Sequence, residues 1–556
     1  MSLIRKCLIE PSPITLINLL RACKSIKNLE QVHTHIIQKG YEQDHFIINQ
    51  FISLCNTFSS DVSYATSVFE HVNHPNVYVW NTLIKGYSEK SSLADCFVIL
   101  KRMKNMGLNV MPDKYTFPSL VKSCSNVLAF REGQIVHGLI VRYGTDTDVF
   151  VGSSLIDFYG KCKQIECARR IFDETVVKNE VVRTAMVVGY VYVGDLLEAR
   201  KLFDEMPQRN VASWNVMIRA FVKFGDLSSA KKLFDSVPEK DVVSYTTMID
   251  GYAKAGDMAS SRFLFDRLSD RDVVSWSALI SGYAQNGQPN EAVKIFHEML
   301  SMNVRPDEFI MVSLMCACSQ LGRLDLANWV EHYMCQNSFD FNQVHIAAAL
   351  VDMNAKCGNI ERAKMLFEGM PKRDIVSYCS MIQGLSIHGC GSQAVDFFDR
   401  MLNEGLVPDD ASIKIILTAC SRAELVNEGV RIFNLMTNKY SIKLSPDHYA
   451  CVVDLLGRSG KLKDAYELIK SMPVEPHAGA WGALLGACKL HCDIELGEEI
   501  SNRLFELEPQ NTGNYVILSD IYAAANRWLD VALLRQKMSE KGLRKIPGCS
   551  WVWNNP

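Results

Sequence analysis

Apolar residues in this chain fall at helical spacing, and the helical stripes come in pairs. Within 242–272, Tyr245, Met248, Ile249 and Tyr252 form an i, i+3, i+4, i+7 stripe, and Leu264 and Phe265 anchor a second one. Gly256 and Asp257 separate the two stripes and break the first helix. Pro207, Pro238, Pro371 and Pro473 stand just past second stripes, where proline stops a helix. A unit usually ends on Asp or Asn, which suits the cap of the next helix. Each unit therefore predicts two antiparallel helices.

The unit recurs. Phe203, Phe234, Phe265 and Phe296 are 31 residues apart, as are Gly225, Gly256 and Gly287, and Trp214, Tyr245 and Trp276. One such pair cannot bury its apolar faces alone, so neighbours must stack. The expected fold is all-α: a right-handed superhelical solenoid of helix-turn-helix repeats. Fourteen units are expected over 13–477: 13–44, 45–76, 77–113, 114–148, 149–179, 180–210, 211–241, 242–272, 273–307, 308–343, 344–374, 375–409, 410–445 and 446–477. The unit 77–113 carries two extra residues around Leu108–Val110. Two divergent helical pairs follow, 478–511 and 512–545, and then a short tail, 546–556.

Composition narrows the function. The net charge of -3 announces no nucleic-acid partner globally, so the distribution of charge matters more than its sum. No run of about 18 apolar residues predicts a membrane span. The 18 cysteines include no C-x-x-C, which argues against zinc. Cys23, Cys55, Cys124, Cys318, Cys420 and Cys488 share the eleventh place of a unit, as small packing residues would. The basic start, Met1 to Lys6, is compatible with an organelle-targeting segment over 1–12.

The phrases "VVSYTTMIDGYAKAG" and "LVDMNAKCGNIERAKMLFEGMPKRD" resemble the pentatricopeptide repeats of plant organelles. Alternation of 31-, 35- and 36-residue units resembles the PLS subfamily, with P, L and S types. The run "HYACVVDLLGRSGKLKDAYELIKSMPVEPHAGAWGALLGACKLH" and the later "MSEKGLRKIPGCSW" resemble the family's E-type extension. The DYW class continues past such a run into a zinc deaminase. Its H-x-E and C-x-x-C signature is missing here, so no catalysis, no cofactor and no metal are expected.

The resemblance implies one RNA base per repeat, read by the fifth and last residues. The implied pairs are Asn49 with Asn76, Asn81 with Asp113, Ser153 with Asn179, Thr184 with Asn210, Asn215 with Asp241, Thr246 with Asp272, and Ser277 with Asp307. The family code assigns them C, U, A, A, U, G and G, with Pro118 uninformative between the second and third, giving C-U-n-A-A-U-G-G. Val312, Ala348 with Asp374, Cys379 with Asp409, Lys414 with Ser445, and Ala450 with His477 give no clean reading. Asp and Asn at these ends could equally be helix caps alone. In the family the second-place valines Val181, Val243, Val274 and Val376 wedge between bases. The fourth-place aromatics Trp80, Trp214, Tyr245, Trp276, Tyr378 and Trp481 have core spacing. At the thirteenth place, Lys161, Lys223, Lys254, Lys356 and Arg458 form a line of cations suited to phosphates. An ordinary helix end would favour the same charges.

The implied function is recognition of a single-stranded organelle RNA site for C-to-U editing. A DYW-type deaminase and other editing-complex proteins would join in trans. The tail's apolar helices, with Trp481, Trp528 and Trp551, would be a docking surface, a solenoid cap or both. The alternatives are RNA processing, stabilisation or intron splicing without editing, and a protein-binding scaffold. The expected compartment is the mitochondrion, with the plastid as the other choice, and the expected state is a monomer.

Overall fold

A computed structural model describes residues 13–543, apart from residues 60, 91, 108–109, 439, 441 and 443. The expected targeting segment 1–12 and the tail 546–556, with Trp551, lie outside the described residues. So do two of the three residues at the 108–110 insertion. Every regular element among the described residues is an α-helix. They run from α1 (Pro13–Ala22) to α32 (Trp528–Glu540). None is long and apolar enough to cross a membrane.

The chain divides into two compact units, residues up to Asp270 and residues from Arg271. Within each, the first helix of a pair packs on the first helices before and after it. Within each unit these first helices form a continuous layer, and the second helices cover it. In the first unit they begin at Pro13, His45, Val77, Thr116, Val149, Glu180, Val211 and Val242. In the second they include those beginning at Val273, Glu308, Val344, Ile375, Asp410 and Pro446.

Local chemistry explains the pairing. Gly225 and Gly256 close first helices with φ of 81° and 84°, a conformation that costs glycine nothing. Asp226 and Asp257 follow at once and cap the second helices, accepting from the Ser229 and Ser260 N–H groups at 3.0 Å. Phe203, Phe265 and Phe296 lie fully buried. Burying each is worth about 1.5–3 kcal/mol. Close approach is built in at one point: a Cβ on Gly160 would lie 2.7 Å from the Gly189 Cα. The six eleventh-place cysteines are all buried. Burial pushes the thiols of Cys55, Cys124, Cys318, Cys420 and Cys488 up to about 12. They pack as neutral apolar groups.

Candidate nucleic-acid interface

The unit-end residues are helix caps. Oδ1 of Asn76, Asn179, Asn210 and Asp241 accepts the N–H of Val79, Val182, Ser213 and Ser244, at 3.1, 3.0, 2.9 and 2.8 Å. In the second unit, Asp272 and Asp307 accept from Ser275 and Ile310 at 2.8 and 2.9 Å. Asp113 accepts from Tyr115 and Thr116, both at 3.0 Å. The cap also polarises what is left over. An N–H needs an acceptor, so asparagine must cap with its oxygen and keeps both Nδ2 protons for other partners. Aspartate caps with one oxygen and keeps the other as an acceptor. Uracil and guanine carry N–H at the centre of the Watson–Crick edge, and suit aspartate. Cytosine and adenine carry a lone pair there, and suit asparagine.

The fifth residues sit one turn into the first helices. Asn81 Nδ2 donates to Asp113 Oδ1 at 3.0 Å, and Asn215 Nδ2 to Asp241 Oδ1 at 3.0 Å. Burial works to raise the Asp241 carboxyl, but hydrogen bonds from Asn215 and Ser244 outweigh it and hold the group below its usual range. It is therefore an ionised acceptor at neutral pH. Asn49 Oδ1 accepts from the Thr82 hydroxyl at 2.5 Å. Ser153 Oγ donates to the Phe150 carbonyl at 3.0 Å and keeps its lone pairs. The hydroxyls of Thr184 and Thr246 are covered and have no partner among the described residues. Such a group costs about 1–3 kcal/mol until something bonds it. Ser277 is half-buried. Thr246 belongs to the first compact unit and Asp272 to the second.

The second place carries a pattern wider than the four valines. Val181, Val243, Val274 and Val376 are exposed. So are Phe46, Tyr78, Tyr115, Phe150 and Phe309, which occupy the same place in their repeats. A large apolar side chain left in water at the same place in nine repeats, though not in 211–241 where Ala212 holds it, is a candidate surface for base faces. The fourth place behaves oppositely. Trp80, Trp276 and Tyr378 are essentially inaccessible. Trp80, Trp214, Tyr245 and Tyr378 meet Phe69, Phe203, Phe234 and Phe367 edge-on, with centroids 4.6, 5.0, 5.2 and 4.9 Å apart. These aromatics hold one repeat to the next.

The cation line is less free than its spacing implies. Lys161, Lys254, Lys356 and Arg458 each pair with an aspartate one turn earlier: Asp157, Asp250, Asp352 and Asp454, at 2.7, 2.6, 2.8 and 2.9 Å. Lys223 has Arg219 at the corresponding position instead. A shallow groove of about 390 Å³ runs over the first helices between Lys85 and Ala185, bringing Lys122, Ser153, Lys161 and Val181 together.

Toward the C-terminal end the same positions satisfy each other. Lys414 Nζ pairs with Asp447 at 2.5 Å, and His477 Nε2 donates to its other oxygen at 2.8 Å. His477 Nδ1 accepts the Ala480 N–H at 3.3 Å. Asp374 and Asp409 form capping boxes with Ser377 and Ser412. Burial, helped by Asp409 and Asp374, pushes the fifth-place Cys379 thiol up to about 12, so it stays neutral. In the terminal pair, Trp528, Leu529 and Leu533 are exposed on the last helix.

Comparison with known proteins shows the family of the chain. The PPR repeat family matches residues 75–126, 271–320 and 373–422, and the PPR repeat matches 181–211, 212–242, 243–273, 349–375 and 447–475. The E motif matches 491–553. A pentatricopeptide repeat-containing protein of Arabidopsis thaliana is 58% identical over 542 residues, covering 98% of each chain. A second Arabidopsis thaliana relative, named as mitochondrial, is 34% identical over 97% of this chain and 85% of its own. The crystal structure of the maize pentatricopeptide repeat protein PPR10 has the same fold. Its TM-score is 0.50 at 18% identity, over 97% of this chain and 80% of that one. The repeating helix pairs, the E motif and the full-length relatives all carry one conclusion: the chain belongs to the pentatricopeptide repeat family.

Proposed function

We propose that this protein binds single-stranded organelle RNA at a specific sequence and marks a cytidine for C-to-U editing by a deaminase recruited in trans. One observation carries the RNA reading. Seven fifth-and-last pairs are polar and in phase, all but that of 211–241 beneath an exposed apolar second place. Their caps leave donors where the code requires donors and acceptors where it requires acceptors. The base-reading residues are Asn49, Asn76, Asn81, Asp113, Ser153, Asn179, Thr184, Asn210, Asn215, Asp241, Thr246, Asp272, Ser277 and Asp307. The site they specify is C-U-n-A-A-U-G-G.

Side-chain reach supports the split between base sizes. Asn at the fifth place extends one atom further than Ser or Thr and suits the smaller pyrimidines. Ser and Thr leave room for purines. Of the thirteenth-place cations, Lys223 is the strongest phosphate contact, because the other four must first leave or share an aspartate.

The E motif supports editing over other RNA processing, because that extension resembles those of editing factors. The chain itself supplies binding and position, not chemistry. Relatives named as mitochondrial and as chloroplastic support an organelle, and the mitochondrion is the proposed one. Counting C against U at every organelle transcript position, in plants with and without the protein, tests this. Loss of U at one or a few cytidines downstream of a C-U-n-A-A-U-G-G-like sequence is expected. Unchanged editing with altered transcript ends or retained introns would overturn the editing role and leave RNA binding standing.

A further inference from the structure

We infer that the third residue of a repeat, through its hydroxyl, sets the base preference of the repeat before it: Ser244 for the Asn215–Asp241 pair and Thr116 for Asn81–Asp113. The inference rests on the RNA reading proposed above and adds a positioning residue to it.

The geometry is a closed ring. Asn215 Nδ2 lies 3.0 Å from Asp241 Oδ1. Ser244 Oγ lies 2.6 Å from Asn215 Oδ1 and 2.7 Å from Asp241 Oδ1. An ionised carboxylate brings no proton, so the amide atom beside it must be nitrogen. The amide atom beside Ser244 is then oxygen, and the serine's single proton is shared between that oxygen and Asp241 Oδ1. The amide is held at both ends and cannot turn over. The ring recurs in a separate repeat: Asn81 Nδ2 to Asp113 at 3.0 Å, and Thr116 Oγ1 to Asn81 Oδ1 at 2.6 Å and to Asp113 Oδ1 at 3.0 Å.

The hydroxyl behaves differently where the preceding fifth residue has no amide. Ser213, Ser377 and Ser412 follow repeats with Thr184, Ala348 and Cys379 at that place. Their hydroxyls turn back to the carbonyls of Asn210, Asp374 and Asp409, at 2.8, 2.8 and 2.9 Å. In the remaining asparagine repeat, Val79 takes the third place and offers no hydroxyl. There no bond joins Asn49 to Asn76 among the described residues. The ring therefore tracks the Asn–Asp combination.

A locked amide has one Nδ2 proton and one Oδ1 lone pair left, beside the spare oxygen of Asp241. That set offers a donor to a uracil carbonyl and an acceptor to its N3–H. Cytosine would turn its N3 lone pair toward the carboxylate. Asn215 is only 7% exposed, so a small rotation of the amide would withdraw its donor from the groove.

The test uses the full-length protein and fluorescent single-stranded RNAs carrying C-U-n-A-A-U-G-G, with each of four bases opposite repeat 211–241. Wild type should prefer U over C by roughly tenfold, the size of one well-placed hydrogen-bond set. Ser244→Ala should cut that preference to about threefold or less, the loss of one net hydrogen bond. Ser244→Thr should retain it, since Thr116 does the same job in its own repeat. Ser213→Ala should leave it untouched. Thr116→Val, read at the base opposite 77–113, repeats the test with a residue that Val79 and Val182 show is tolerated at that place. An unchanged U-to-C ratio in Ser244→Ala, or an equal loss on all four RNAs, would overturn the inference. A wild type blind to the base at this position would overturn the RNA reading itself, and the inference with it.

Discussion

Repeat 211–241 and repeats 410–477 are built from the same helix pairs, yet they treat equivalent positions in opposite ways. In the first, Asn215 and Asp241 bond each other and still hold a spare donor and a spare acceptor. In the second, Lys414 and His477 both turn to Asp447, and His477 gives its other nitrogen to a backbone N–H. The second place does not separate the two: it is Ala212 in 211–241, and Ala411 and Asp447 in 410–477. The fold alone does not distinguish the proposed reading surface; hydrogen-bond capacity left over after folding does.

The largest effect should separate the inward and outward faces of one helix. Trp276→Ala should cost about 3–5 kcal/mol in urea unfolding, because the side chain is fully enclosed. Val274→Ala, two residues away and 60% exposed, should stay within about 0.5 kcal/mol and weaken RNA binding instead. Comparable stability losses would break the distinction. Next, Asn81→Ala with Asn215→Ala should lower affinity for C-U-n-A-A-U-G-G by roughly a hundredfold, from two lost base contacts. Lys414→Ala with His477→Ala should change it less than about twofold, since those groups are already satisfied. A smaller change is a switch. Asp241→Asn replaces an acceptor with a donor and should move the preferred base opposite 211–241 from U to C, by about tenfold in competition binding.

The smallest effect is on stability against pH. Hydrogen bonds from Lys414 and then His477 hold the Asp447 carboxyl down at about 2. A depressed folded value means the contribution is complete above the ordinary carboxylate range and is lost as pH falls from about 4 toward 2. Melting curves of wild type and Asp447→Asn should therefore differ at pH 6 and converge near pH 2.5. Because Asp447 is about half exposed, the gap should be a degree or two at most.

Much of the architecture is legible in the sequence because each unit states it again. Glycine at the end of the first stripe, phenylalanine in the second and Asp or Asn at the end recur in phase, so local ambiguities cancel. The proposed base-reading places recur in phase for the same reason. What stayed hidden depends on direction. Phe46, Tyr78, Tyr115, Phe150 and Phe309 read as core by type, and only the helix orientation turns them outward. Lys161 and Lys254 read as free cations because spacing at the thirteenth place does not reveal the aspartate a turn before. Ser244 reads as a helix-start serine. Its bond to Asn215, 29 residues earlier, exists only once the repeats stack.

We propose that hydrogen-bond capacity left over at the fifth and last places reads RNA. The most direct measurement is binding of the full-length protein to a single-stranded C-U-n-A-A-U-G-G RNA and to the same RNA with both uridines changed to cytidine. The account predicts that the two substitutions weaken binding by at least about tenfold, because each puts a lone pair against Asp113 or Asp241. Equal affinity for the two RNAs would contradict it.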